Sequence, residues 1–202
     1  MAASSYHHGN LRQALLEQAV ELARTGGPDA VVMRDVQRAV GVSNAAAYRH
    51  YSDRHALLNA VKEHAMGLLG DQMLEALSHV PNRGPRGPRA LARLRATGQA
   101  YVDFALAEPG LFRAAFSPGE STSDDATLSS RHPFRILSGC IDDLVTAGLL
   151  DERNRDGLDE AAWASVHGLS VLYLEGPLAT TDDARRKVIT DRLLKVIGAG
   201  IR

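Results

Sequence analysis

Two short amphipathic segments, residues 33–40 and 44–50, are joined by Gly41-Val42-Ser43, and this junction constrains the fold more than any other feature of the chain. Val36 and Val40 give the first segment an apolar edge. Gly41 ends it, because glycine takes the left-handed C-terminal cap at no steric cost. Ser43 is a natural N-cap for the second segment, which begins at once. A glycine-containing turn of this length lets the second helix cross the first steeply and project from the surface.

The rest of the chain is helical by periodicity. Leu11, Leu15, Ala19, Leu22 and Ala23 share one face of a helix over about 10–25, with Asn10 and Gln13 spaced like a capping box. Thr25-Gly26-Gly27-Pro28 stops it. Ser52 or Asp53 caps a longer helix reaching about Ser78, with Leu57, Leu58, Val61, Ala65, Leu68 and Leu69 inward. Residues 81–88, with three prolines and two glycines, read as a loop. No strand precedes Gly84 and Gly87, so their likeness to a phosphate loop is superficial. Further helices are expected over 89–107, 111–116, 132–148, 158–178 and 182–199, with 117–131 a mobile loop. No strand and no internal repeat is evident. The expected fold is all-α with about nine helices: a three-helix head over 1–62, joined by the fourth helix to a helical bundle over 63–202.

Composition sets outer limits. The chain has 202 residues, enough for a sizeable core, with 45% apolar and 23% charged residues. Its single cysteine, Cys140, leaves no intrachain disulfide. No apolar run is long enough for a membrane span, and the first residues lack a basic or apolar leader, so the expected location is the cytoplasm. Residues 1–62 hold seven Lys/Arg against five acids, and the remainder sixteen against nineteen. A slightly basic head permits nucleic-acid contact without requiring it.

The second short helix suits a major groove about 12 Å wide, its N-terminal residues meeting base edges while the preceding helix crosses the backbone. Ser43 and Asn44 offer hydrogen bonds, and Ala45 and Ala46 are small enough to approach thymine methyls. Tyr48, Arg49 and His50 reach towards phosphates or bases. Arg54, at the start of the fourth helix, is placed to grip a phosphate together with free backbone N–H groups. The same residues also fit a plain helical hairpin, with Ala45-Ala46-Ala47 as packing and Tyr48 as core. The pattern alone leaves both readings open.

Residues 6–62 resemble the head of the TetR family of regulators. The resemblance rests on Tyr6-His7-His8-Gly9-Asn10-Leu11-Arg12, on Met33-Arg34-Asp35-Val36 and on Gly41-Val42-Ser43. Its most specific part is the run from Ala45 through Tyr48, Arg49, His50 and Tyr51 to Leu57-Leu58. It implies DNA binding by Arg34 and by the residues of the second short helix. Departures are visible. Val32 stands where a capping Ser or Thr is usual, Gln37 where a small Ala is common, Ala47 where Pro is frequent in one subgroup, Tyr51 for Phe and Arg54 for Lys.

The resemblance extends, less specifically, to about residue 178. It is carried by Tyr101 to Arg113 around Glu108-Pro109-Gly110, and by Trp163-Ala164-Ser165-Val166-His167-Gly168, a Trp-x-x-x-His-Gly pattern of one subgroup. It implies a small-molecule cavity in the body and a dimer formed by the last two helices. Tyr101, Phe104, Phe112, Phe116, Cys140, Trp163, His167 and Ser170 are the expected pocket residues, although an aromatic set of this kind also suits plain core. Gly168, Gly176, Val188, Leu194 and Ile197 are the expected dimer contacts. The expected partners are a palindromic double-stranded operator, a second copy of the chain and an apolar or amphipathic effector of unknown identity. No cofactor, metal or membrane partner is expected.

An enzyme is disfavoured. Eight histidines and Cys140 show no nucleophile elbow, no zinc-binding His-Glu-x-x-His and no Walker loop. A helical interaction module without DNA binding is the other rival, supported only by Val32 and Gln37.

Overall fold

The computed structural model describes residues 11–118 and 128–200. Among them it shows no strand and nine α-helices: α1 (Leu11–Gly26), α2 (Met33–Val40), α3 (Asn44–Tyr48), α4 (Arg54–Ser78), α5 (Arg86–Ala107), α6 (Pro109–Ala115), α7 (Pro133–Thr146), α8 (Leu158–Leu174) and α9 (Asp183–Gly200). The all-α expectation holds. The Asn10 cap and residues 119–127 of the expected loop lie outside the described residues. No helix of the described residues is long and apolar enough to cross a membrane.

The two helix ends that differ most from the sequence reading do so for local reasons. The helix expected from residue 89 begins at Arg86 and takes Gly87 and Pro88 into its first turn. Proline is harmless there because the first N–H groups have no intrahelical acceptor. Gly87 faces Leu149, whose Cδ1 would stand 3.2 Å from an added Cβ. The helix expected to reach 178 ends at Leu174. Gly176 lies in the turn beyond it, where a Cβ would stand 2.8 Å from the Leu172 Cα. The bare Cα of Gly176 thus serves this turn rather than a close approach of helices.

The chain divides into two compact units, and α4 contributes to both, with the break at Ala65. The first unit holds α1–α3, the start of α4, and also Glu108–Ser121 with α6. Its core is built from Leu15, Ala19, Val36, Ala47, Leu57 and Val61, all fully buried. The boundary read at residue 62 falls close to this break, but the inclusion of α6 was not legible. Two contacts explain it. Glu108 accepts from the Arg24 Nε at 2.9 Å. Gly110 lies so close to the end of α1 that a Cβ would meet the Arg24 carbonyl oxygen at 2.2 Å.

The second unit is organised around α5, which packs against α7, α8 and α9. Ala90, Leu94, Cys140, Ile141, Leu144, Leu150 and Ala162 form its buried cluster. Gly98 of α5 lets α9 approach, since a Cβ there would stand 2.5 Å from the Leu194 Cδ2. A polar lock joins α7 to α8. Arg155 donates to Asp142 at 2.8 Å, to Asp159 at 3.0 Å and to the Ser138 hydroxyl at 2.9 Å. Ser138 in turn donates to Asp159 at 2.9 Å.

Candidate nucleic-acid interface

The first unit presents α3 as expected from its caps. Gly41 has a φ of 76°, and its N–H returns to the Gln37 carbonyl at 2.9 Å. The Ser43 hydroxyl accepts from the Ala46 N–H at 3.2 Å. These two contacts fix where α2 stops and where α3 starts. Ala47 is fully buried and anchors α3 to the core. Asn44, Ala45, Tyr48 and Arg49 are exposed, with Ala46 and His50 half-buried. They are one turn apart in pairs and so share a face of the helix. Tyr48 is 44% exposed, which removes its reading as core. Arg34, on α2, is also exposed.

Arg54 is placed differently from the sequence expectation. Its Nε donates to the Val31 carbonyl at 2.8 Å and its Nη2 to the Pro28 carbonyl at 2.7 Å. The guanidinium therefore braces the turn that leads into α2. The start of α4 is also less free than expected. The Asp53 carboxylate accepts from the Ala56 N–H at 2.7 Å, and this bond holds the carboxyl below its usual range. An acid in that place occupies the N–H a phosphate would take and sets a negative charge beside it. In the absence of DNA, Arg54 acts as a structural brace.

Val32 and Gln37, two of the departures, are both placed at α2. Val32 has the extended backbone of an N-cap but supplies no side-chain acceptor. Gln37 is 7% exposed, and its Nε2 finds no partner among the described residues. A residue the sequence reading left without a role also enters here. The Arg12 Nη1 donates to the His50 carbonyl at 2.8 Å, and its guanidinium lies 4.5 Å from the centre of the Tyr51 ring. The Tyr51 hydroxyl donates back to the Arg12 carbonyl at 3.3 Å. Burial raises the Tyr51 phenol and the Arg12 charge opposes it. Arg12 lay inside the quoted motif, but a contact across 38 residues leaves no periodic signal.

The expected pocket residues divide between the units. Phe112 and Phe116 pack on each other in the first unit, with ring centres 4.9 Å apart. The others belong to the second unit. There the Trp163 Nε1 donates to the Tyr101 hydroxyl at 3.1 Å, and Tyr101 meets the His167 Nδ1 at 2.8 Å. Phe134 lies edge-on to Trp163 at 5.8 Å. Burial lowers the His167 pKa and raises that of Tyr101. With Trp163 donating, Tyr101 can donate onward to a neutral His167 bearing its proton on Nε2. Phe104 is buried core. Cys140 sits within the apolar cluster, its thiol pushed up to about 11, first by burial. The Ser170 hydroxyl donates to the Val166 carbonyl of its own helix at 2.8 Å.

The expected dimer contacts also divide. Leu194 is 7% exposed and packs at Gly98, and Ile197 packs on the cluster of α5 and α7. Leu194 is buried within the unit, and Ile197 is half-buried. Gly168 and Val188 are exposed, together with Val196 of the same apolar stretch and with Val171 and Leu172, which the sequence reading did not single out.

Comparisons with known proteins agree with this geometry. Residues 15–61 match the family described as bacterial regulatory proteins, tetR family. Residues 94–197 match the tetracyclin repressor-like C-terminal domain. No curated protein sequence matches significantly. A Rhodococcus sp. RHA1 protein of unknown function is 27% identical, covering 95% of this chain and 97% of its own, with a TM-score of 0.73. A tetR-family regulatory protein from Rhodococcus RHA1 is 18% identical, covering 94% and 96%, with a TM-score of 0.59. A TetR variant from Acinetobacter baumannii AYE, solved with minocycline, is 16% identical, covering 93% and 94%, with a TM-score of 0.64. Since the C-terminal match alone spans more than half of the chain, the chain belongs to the TetR family and is a DNA-binding transcriptional regulator.

Proposed function

We propose that the protein is a homodimeric repressor that holds a palindromic operator and is released from it by a small-molecule effector. The observation that carries the reading is the exposed face of α3, with Asn44, Ala45, Tyr48 and Arg49 outward and Ala47 locked inward. In this reading these residues and Ser43, Ala46 and His50 read bases or meet phosphates, and Arg34 contacts the DNA backbone. Two copies place two such helices about one DNA turn apart, which suits an inverted repeat. The exposed apolar residues Val171, Leu172, Val188 and Val196 of α8 and α9 support a second copy as their cover.

The effector is assigned to the second unit, around Tyr101, Trp163 and His167. These give aromatic surface with a small number of polar groups, the usual character of a ligand site. The minocycline complex of the Acinetobacter protein supports ligand binding by this fold. A groove of about 450 Å³ on the first unit is a poorer candidate, because Gln13, Glu17, Glu21, Arg24 and His64 make it polar and acidic. Release is a shift of population: an effector favouring a conformer with misplaced heads lowers DNA affinity.

The test is selection of duplexes from a random-sequence pool by the purified protein, followed by footprinting across a range of salt. An inverted repeat bound with steep salt dependence supports the reading. A single half-site bound by a monomer would overturn the dimeric part, and no enrichment would overturn operator recognition.

A further inference from the structure

The shortness of α3 raises a question about how it is aimed. A helix of five residues cannot hold its own axis, because too few hydrogen bonds offset the cost of its nucleus. Its direction is set by what grips its ends. The front end is fixed by the Gly41 turn and the Ser43 cap, and the middle by buried Ala47. At the rear, the Ala47 carbonyl accepts from both His50 and Tyr51. The next anchor comes from α1, where Arg12 donates to the His50 carbonyl and covers the Tyr51 ring, while Tyr51 returns a bond to the Arg12 backbone.

We infer that Arg12 is a positioning residue for sequence-specific DNA recognition, acting through the rear end of α3 rather than by touching DNA. Three features of the geometry carry this. The cation meets the carbonyl end of a helical turn, where positive charge is favoured. The guanidinium is planar, so it can stack on Tyr51 and donate to His50 at once, which a lysine ammonium cannot do. The residues it fixes, His50 and Tyr51, directly follow Tyr48 and Arg49 on the exposed face. A small change in the axis of α3 therefore moves both away from base edges, yet leaves the charge facing the phosphates unchanged. Arg12 itself is exposed, so its removal opens no hole in the core.

The inference rests on α3 being the recognition helix, which selection with the wild-type protein tests separately. The experiment uses the full chain with Arg12→Met, Arg12→Lys and Tyr51→Phe. Affinity is measured for the selected duplex and for poly(dI-dC) across a salt series, with thermal melting in parallel. Both Arg12 variants are expected to lose about tenfold or more on the selected duplex, the loss that follows when one base contact is misaligned. Binding to poly(dI-dC) and the salt slope should stay at wild-type values. Tyr51→Phe, which keeps the stacked ring, should show a smaller loss of the same kind and serves if Arg12→Met does not fold. Three results would overturn the inference: a slope reduced by about one unit with both affinities falling together, which marks a phosphate contact; wild-type specificity in Arg12→Lys, which marks a requirement for charge alone; or equal losses on both probes accompanied by a lowered melting midpoint, which marks a general folding effect.

Discussion

The two units use their polar side chains in different ways. In the first unit, those that fix the turns around α2 and α3 hold backbone. Ser43 and Asp53 accept from helix N–H groups, and Arg12 and Arg54 donate to the carbonyls of His50, Val31 and Pro28. In the second unit, those joining α5, α7 and α8 hold one another. Tyr101 joins Trp163 to His167, Arg155 joins Asp142, Ser138 and Asp159, and Arg93 pairs with Asp143 at 2.7 Å. Backbone anchors fix the angle of a short helix, which is what a DNA-reading surface needs. Side-chain pairs between helices can be exchanged for other polar groups without undoing any helix, which is what the proposed effector response requires.

The contrast can be broken or sharpened at five points of decreasing expected effect. Asp159→Ala should be the most costly, at about 3 kcal/mol, since it strips Arg155 and Ser138 of a buried acceptor. Chemical denaturation followed through Trp163, which lies in the same unit, checks this, and a loss near zero would show that Asp142 alone suffices for Arg155. Arg54→Ala should follow at about 2 kcal/mol for two charge-assisted bonds to carbonyls. Its salt slope for DNA should equal wild type. A slope lower by about one unit would restore the phosphate contact that the geometry argues against.

Two repairs of the first unit should stabilise it. Val32→Thr supplies the missing cap acceptor at a backbone already extended, for about 1 kcal/mol. Gln37→Met keeps the volume and removes the unpartnered amide, for a gain of about 1 kcal/mol. Thermal melting reads both, and a lowered midpoint in Gln37→Met would reveal a partner for that amide. The smallest effect concerns pH. The folded His167 pKa lies below its ordinary value of 6.5, with burial as the cause. The native state therefore binds fewer protons than the unfolded chain in that range. The stabilising contribution is complete above 6.5 and is lost as pH falls through the folded value. Stability measured from pH 8 down to 5 should decline in wild type, and His167→Gln should remove that part of the decline. An unaltered profile in the variant would assign the decline to other groups.

Legibility followed the range of the forces involved. Cap residues and apolar spacing act within a turn or two, so the nine helices, the Gly41 corner and the outward face of α3 could be read from the order of residues. Where local signals conflicted, as at Arg86-Gly87-Pro88, the first-turn tolerance for proline prevailed over its reputation as a breaker. The site was legible to the same extent. Asn44, Ala45, Tyr48 and Arg49 are exposed because Ser43 and Ala47 set the phase of the helix. The brace formed by Arg54 was not legible, because its partners lie 23 and 26 residues away.

By itself, then, the sequence determined which segments are helical, where the turn between α2 and α3 falls and which residues of α3 share a face. Only the tertiary structure decided that α6 packs with α1 through Glu108 and Arg24, 84 residues apart, and that Phe112 and Phe116 pack on each other in the first unit. It also decided that Leu194 is buried, and that Arg12 grips the end of α3. The reason is physical. Helix formation is governed by neighbours three or four residues away, whereas a side chain's partner is set by which helices the burial of apolar surface brings together, and that depends on the whole chain at once.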